Sequence, residues 1–344
     1  MIHFECDYTE GAHPAIIDLL VQTNMEQTCG YGMDDYCEKA RELIKEACGS
    51  KDAYVQFLVG GTQTNTTVIA AALKPWQGVL SAQTGHINVH ETGSVEATGH
   101  KVLYLPAKDG KITFEQIAAA LDGHDADPDR EHTVQPGMVY VSNPTEYGTL
   151  YNKEELTKIS VVCRAHKIPL FLDGARLGYG LMADGSDLTL EDYAALCDVF
   201  YIGGTKVGAL FGEAVIITND ALKKDFRYMI KQQGGMLAKG RLLGIQFMGL
   251  FQDGLYFKLA KHADVLAMKI KSAFVKKGYP LLFDSNTNQQ FVILPKEAAQ
   301  KLSENYVFSV WEKIDEDHDA VRFCTSWATV EENVAELVRD IEKL

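Results

Sequence analysis

Residues 168–176 read IPLFLDGAR and residues 199–206 read VFYIGGTK. Each is a short apolar run that stops on a charged side chain set among glycines. Neither alternates between apolar and polar positions, which is the pattern of a strand covered on both faces. Similar runs occur at 54–59 (YVQFLV), 79–82 (VLSA), 101–105 (KVLYL), 138–142 (MVYVS) and 214–218 (AVIIT). Helical patterns at 62–74, 113–121, 152–166 and 189–196 lie between many of them. Strand–helix alternation predicts an α/β chain: three α/β/α layers around a mostly parallel, seven-stranded sheet.

Beyond residue 218 the rhythm changes. Residues 220–275 are helical in pattern, broken at Gly234-Gly235. Strands are expected at 289–294 (QQFVIL), 306–311 (YVFSVW) and 321–325 (VRFCT), with helices at 296–303 and 330–342. The expected organisation is an N-terminal arm and first helix over 1–30, a large domain over 31–250 and a small C-terminal α+β domain over 251–344. The first thirty residues, polar and containing Gly-Ala-His-Pro, read as an arm and helix instead of a sheet strand.

Composition narrows the function. Of 344 residues, 46% are hydrophobic and 23% charged, and 33 Lys and Arg against 47 Asp and Glu give a net charge of −14. Such a chain is a poor general ligand for nucleic acid or an anionic membrane, though a local basic pocket for a small anion remains open. The seven cysteines are scattered with no C-x-x-C pair, there is no signal-peptide pattern, and no apolar run approaches the length of a membrane span. The expectation is a reduced, cytoplasmic protein.

In an open α/β sheet, ligands bind beyond the carboxyl ends of the strands. After the first large-domain strand comes Gly60-Gly61-Thr62-Gln63-Thr64-Asn65 at a helix start. This is either a phosphate cradle or a glycine turn with Thr62 as N-cap. After 168–172, Asp173 is a carboxylate that needs a cationic or N–H partner. That partner is either Arg176 or a ligand's protonated nitrogen, in which case Arg176 is free to grip a carboxylate. Lys206 follows Gly203-Gly204-Thr205, where desolvation favours Schiff-base chemistry, or else it is a surface lysine in a turn. His86 and His90 share an i, i+4 spacing, but no second ligand pair is near, so no metal site is expected and a flat imidazole against a cofactor fits better. Phosphate loop, imidazole, carboxylate and lysine, in that order on strand ends, are what pyridoxal phosphate requires.

The chain resembles the threonine aldolases of the β-eliminating-lyase group, pyridoxal-phosphate enzymes with the aspartate-aminotransferase fold (fold type I). The resemblance rests on Cys6-Asp7-Tyr8-Thr9, Tyr31-Gly32-Met33-Asp34-Asp35, Gly61-Thr62-Gln63-Thr64-Asn65, His86 with Glu91, Asp173-Gly174-Ala175-Arg176, Thr205-Lys206 and Arg322-Phe323-Cys324-Thr325. It implies that Gly61, Thr62 and Thr205 contact the phosphate, His86 stacks on the pyridine, Asp173 pairs with its nitrogen and Lys206 binds its aldehyde. It also implies that Arg176 and Arg322, with Cys6, hold the substrate carboxylate, and that Tyr31 and Asp34 face a neighbouring subunit's site in a homotetramer or dimer.

Three positions depart from the family pattern. Cys6 stands for the usual serine, Glu146 for the histidine facing the substrate hydroxyl, and Leu237 for an arginine, with Lys239 and Arg241 after it. Lys231, Lys239 and Arg241 are then possible counter-charges near the phosphate. The implied reaction is retro-aldol cleavage of a β-hydroxy-α-amino acid to glycine and an aldehyde, with Glu146 or a water it positions as base and His86 as its rival. Competing readings are β-elimination or transamination of another amino acid, and a non-catalytic pyridoxal-phosphate binder.

Overall fold

The computed structural model describes all residues, 1–344. Ile2–His3 forms β1. The large sheet comprises β2 (Tyr54–Leu58), β3 (Gln77–Ala82), β4 (Lys101–Leu105), β5 (Gln135–Ser142), β6 (Leu170–Asp173), β7 (Val199–Gly203) and β8 (Glu213–Ile217), in the order β2-β8-β7-β6-β5-β3-β4. All seven expected strands are present. Those from β4 across to β7 run parallel, whereas β8 is antiparallel to both β7 and β2. Residues 204–212 are too few for a parallel crossover, which takes about a dozen residues or more, so the chain doubles back.

The absence of alternation in the strands is explained by burial. Val139, Leu172, Ile202 and Ile216 enter one apolar cluster, while Met138, Phe171, Tyr201 and Val215 enter another. The expected helices run Gly61–Ala72, Phe114–Ala126, Lys153–Ala165 and Leu190–Leu196. Capping boxes at Thr113/Gln116, Asn152/Glu155 and Thr189/Asp192 fix where the last three begin. The 220–275 region divides into Asp220–Lys223, Phe226–Gln232, Arg241–Phe251 and Leu255–Lys276, with Gly234 at φ +72° between the second and third.

The C-terminal part holds β9 (Leu281–Phe283), β10 (Gln289–Pro295), β11 (Tyr306–Val307), β12 (Ser309–Lys313) and β13 (His318–Cys324). Four of these form an antiparallel sheet in the order β12-β13-β10-β9. Two expectations are corrected. The run 306–311 is two strands: β11 leaves to pair with β1, and β12 pairs with β13. The N-terminal segment does contain a sheet strand, because Ile2 pairs in parallel with Tyr306. Phe4, 1% exposed, packs beside Tyr306 and Phe323 and accepts the Cys324 N–H at 2.7 Å. Apolar side chains at positions 2 and 4 gain more by entering this core than a free arm would.

The 22-residue helix Leu255–Lys276 joins the two parts. Tyr256, Leu259 and Ala263 belong to a core of the large sheet, while Leu266, Ile270 and Phe274 belong to the core of the small one. No helix is long and apolar enough to cross a membrane.

Candidate active site

The parallel strands end at one edge of the sheet, and a cavity opens there. Asp173, the last residue of β6, lies in its wall with Lys206 and Thr205 from the β7–β8 turn. Gly61, Thr62, His86, Glu146 and Arg176 also line it. Eight side chains or glycines singled out from the sequence thus converge on one space.

Asp173 is 4% exposed and accepts three hydrogen bonds. Its Oδ2 accepts from Tyr140 Oη (2.5 Å) and Asn65 Nδ2 (3.2 Å), and its Oδ1 from the Ala175 N–H (2.9 Å). Burial pushes its pKa up, but the charge of His86 and hydrogen bonds from Tyr140, Tyr201 and the Ala175 N–H outweigh burial and leave it below the ordinary carboxylate value. Arg176 is therefore not its partner.

Arg176 turns instead to Asp7. Its Nε donates to Asp7 Oδ2 at 2.7 Å and its Nη2 to Asp7 Oδ1 at 2.9 Å. Asp7 is completely buried and also accepts from Asn288 Nδ2 at 2.9 Å. The pair fixes the guanidinium plane with Nη1 left uncommitted, at the cavity wall.

His86 opens a one-turn helix, His86–Val89, and His90 ends it. The His86 Nδ1 lies 2.8 Å from Glu91 Oε1, and Glu91 also takes hydrogen bonds from Asn65 and Ser94. Burial lowers the His86 pKa, yet the hydrogen bond to Glu91 and the charges of Asp173 and Glu91 outweigh it and raise the value overall. Glu146 Oε1 accepts from the His86 N–H (2.8 Å) and Ser142 Oγ (2.9 Å), and burial raises its pKa.

Lys206 Nζ makes no hydrogen bond or ion pair. Burial, aided by the nearby Arg176 charge, holds its pKa below that of a free lysine. The helix Gly61–Ala72 starts at Gly60 with no side-chain cap, so Thr62 is not the N-cap expected of a plain turn. Gly60, Gly61 and Thr62 at this start line the same cavity as Thr205.

Other sequence candidates lie elsewhere. Arg322 is held at the Glu5 carbonyl (2.8 Å), with its guanidinium 5.2 Å from the ring centre of Trp311. Trp311 in turn meets His90 edge-on at 6.5 Å. Arg322 and Cys6 thus sit towards the small sheet and not in the cavity wall. Asp34 is buried as the N-cap of helix Asp35–Ala47, and Tyr31 is half-exposed under Lys231 Nζ at 5.3 Å; neither lines the cavity. Arg241 is not a counter-charge for a phosphate: it is 9% exposed and donates to the Thr23 and Glu26 carbonyls. Sequence reasoning missed the roles of Asp7, Asn65, Tyr140 and Glu213. The signal for Glu213 was present, as a lone acid heading an otherwise apolar strand.

A family model described as "Beta-eliminating lyase" matches residues 4–297. The chain belongs to the beta-eliminating lyase family. Within the reach of this lyase family, a low specificity L-threonine aldolase of Pseudomonas aeruginosa is 30% identical over 346 residues, covering 98% of this chain and 96% of the relative. A solved threonine aldolase of Leishmania major is 45% identical with a TM-score of 0.97, covering 100% of this chain and 99% of that one. An aspartate aminotransferase from Thermus thermophilus aligns at TM-score 0.70 and 14% identity, a likeness of fold alone. The lyase family and the fold expected from the sequence are both met.

Proposed function

We propose that this chain is a pyridoxal-phosphate-dependent threonine aldolase that cleaves threonine or allo-threonine to glycine and acetaldehyde. The observation that carries the reading is the convergence of Lys206, Asp173, His86 and Arg176 on one cavity in a chain so similar to threonine aldolases. The donor set fits the cofactor. Lys206 is an unpartnered amine, Asp173 is a buried carboxylate held ionised, and Gly60, Gly61 and Thr62 open an uncapped helix. Bound there, pyridoxal phosphate supplies an aldehyde for the lysine and a protonated ring that takes up the electron pair released at Cα.

The protein's part follows from its own groups. Asp173 holds the proton at the ring nitrogen, its ionisation secured by Tyr140, Asn65 and the Ala175 N–H. His86 forms a flat wall, kept in place by Glu91. Arg176 holds the substrate carboxylate through Nη1. Glu146 accepts the proton of the β-hydroxyl group, and its raised pKa brings its basicity nearer to neutral pH. A homo-oligomer, dimer or tetramer, with the half-exposed Tyr31 towards the neighbour, is supported by the exposed apolar side chains Val21, Met25 and Met33. Seven unpaired cysteines suit a cytoplasmic setting.

The test is aldehyde release from purified, cofactor-loaded protein given L-threonine and L-allo-threonine in parallel. Release from either supports the reading. Keto-acid in place of aldehyde would favour transamination or β-elimination. Lys206→Ala is expected to lose both turnover and the visible absorbance of lysine-bound pyridoxal phosphate.

A further inference from the structure

Glu213 opens β8 at the same sheet edge, paired with Gly203 on β7 and Leu58 on β2, and it lines the cavity while only 4% exposed. The mechanism above leaves it without a task. Its Oε1 lies 2.9 Å from Thr205 Oγ1, and its Oε2 is buried without any partner. Thr205 Oγ1 also accepts the Gly212 N–H at 3.0 Å. A threonine hydroxyl has a single proton and two acceptor positions. When Glu213 is ionised it can only accept, so Thr205 gives it that proton and has only a lone pair left for an anion in the cavity. When Glu213 is protonated it can donate to Thr205, whose own proton is then free to face an anion.

We propose that Glu213 is a positioning residue that sets the direction of the Thr205 hydroxyl, so that a phosphate ester binds the cavity together with one proton held by Glu213. This rests on the cofactor reading given above. An unprotonated Glu213 opposes the phosphate twice, by its own charge and by taking the hydroxyl proton from Thr205.

The surroundings agree. Burial pushes the Glu213 carboxyl up to about 8, against the opposing Lys206 charge and the Thr205 hydrogen bond; Asp173 adds to the rise and the Gly204 N–H subtracts from it. The other groups packed around it are uncharged. Tyr201 and Tyr256 are phenols whose pKa values burial raises. The helix start at Gly60, Gly61 and Thr62 carries no ionisable side chain, and Leu243 and Phe247 pack on the adjoining Gly212. The sign follows: the acid is protonated below about 8, so phosphate binding costs progressively more as pH rises above it.

The experiment compares pyridoxal phosphate with pyridoxal on apoprotein between pH 7.5 and 9.5. The two share ring and aldehyde, so Lys206 affects both, and the phosphate is already a dianion throughout because its second pKa is about 6. The ratio of their dissociation constants isolates the phosphate end. In the native protein this advantage should fall by about tenfold per pH unit above 8. In Glu213→Gln, whose amide donates to Thr205 at every pH, the advantage should stay flat. A flat ratio in the native protein, or the native slope retained in Glu213→Gln, overturns the proposal.

Calorimetry of the native protein at pH 9, in two buffers of different ionisation enthalpy, keeps the test valid if the variant fails to fold. Pyridoxal phosphate should take up about one more proton than pyridoxal, and equal uptake overturns the proposal. Failure of both ligands to bind would instead remove the cofactor reading itself.

Discussion

Asp7 and Arg176 lie 169 residues apart and meet in a two-pronged ion pair, with Nε–Oδ2 at 2.7 Å and Nη2–Oδ1 at 2.9 Å. The segment that pairs with β11 through Ile2 and with β13 through Phe4 thus also orients the arginine proposed to hold the substrate. Asp7→Asn keeps the shape but leaves the buried guanidinium uncompensated. The expected loss of stability is about 3 kcal/mol by urea unfolding at pH 7, with a rise in KM larger than the fall in kcat. Burial works to raise the Asp7 pKa, but Arg176 holds it below the unfolded value. The native protein's advantage over the variant is therefore complete above roughly pH 4 and lost as pH falls through the folded-state pKa.

Tyr140 donates to Asp173 Oδ2 at 2.5 Å. Tyr140→Phe removes a donor that favours the ionised carboxyl, so the Asp173 pKa should rise. The acid limb of the activity profile should then move to higher pH, with turnover at pH 8 much less affected. An unchanged acid limb would separate Asp173 from it.

Glu146 is held on one oxygen by the His86 N–H and Ser142. Glu146→Gln keeps an oxygen able to accept both bonds and removes the proposed base. Turnover of threonine should fall by about a hundredfold or more, with cofactor absorbance retained. Full activity in this variant would give the role to His86.

His86 carries a raised pKa because Glu91 and Asp173 outweigh burial. The stabilisation this represents is complete below the unfolded histidine value of about 6.5 and disappears as pH rises through the folded-state value. Glu91→Gln should therefore lower the His86 pKa, followed by NMR titration of the ring protons. The fall in Tm relative to the native protein should be larger at pH 6 than at pH 9.

Much of the fold was legible because strands buried on both faces declare themselves as unbroken apolar runs. Asp173 and Lys206 were legible for the same reason, as charges that such runs do not otherwise tolerate. What escaped were features decided by distant partners. Nothing local to Asp7 points to Arg176, and a two-residue strand such as Ile2–His3 is defined only by Tyr306–Val307 beside it. The run 306–311 gave no sign of its division, because both halves are equally apolar and only pairing separates them. The bland alternatives for Arg176 and Thr62 failed for a related reason. Tyr140 and Asn65, remote in sequence, satisfy Asp173, and the helix at Gly61 starts without a side-chain cap.

The pairing of β1 with β11, together with the Cys324 N–H bonded to the Phe4 carbonyl, has a consequence for biosynthesis. Residues 2–4 are made well before residues 306–324 and have no place to settle until these have emerged. Asp7, a few positions on, reaches Arg176 through the same segment. A nascent chain can therefore assemble the large sheet while Arg176 remains unclasped, and the ion pair with Asp7 is secured only once residues 306–324 have been made.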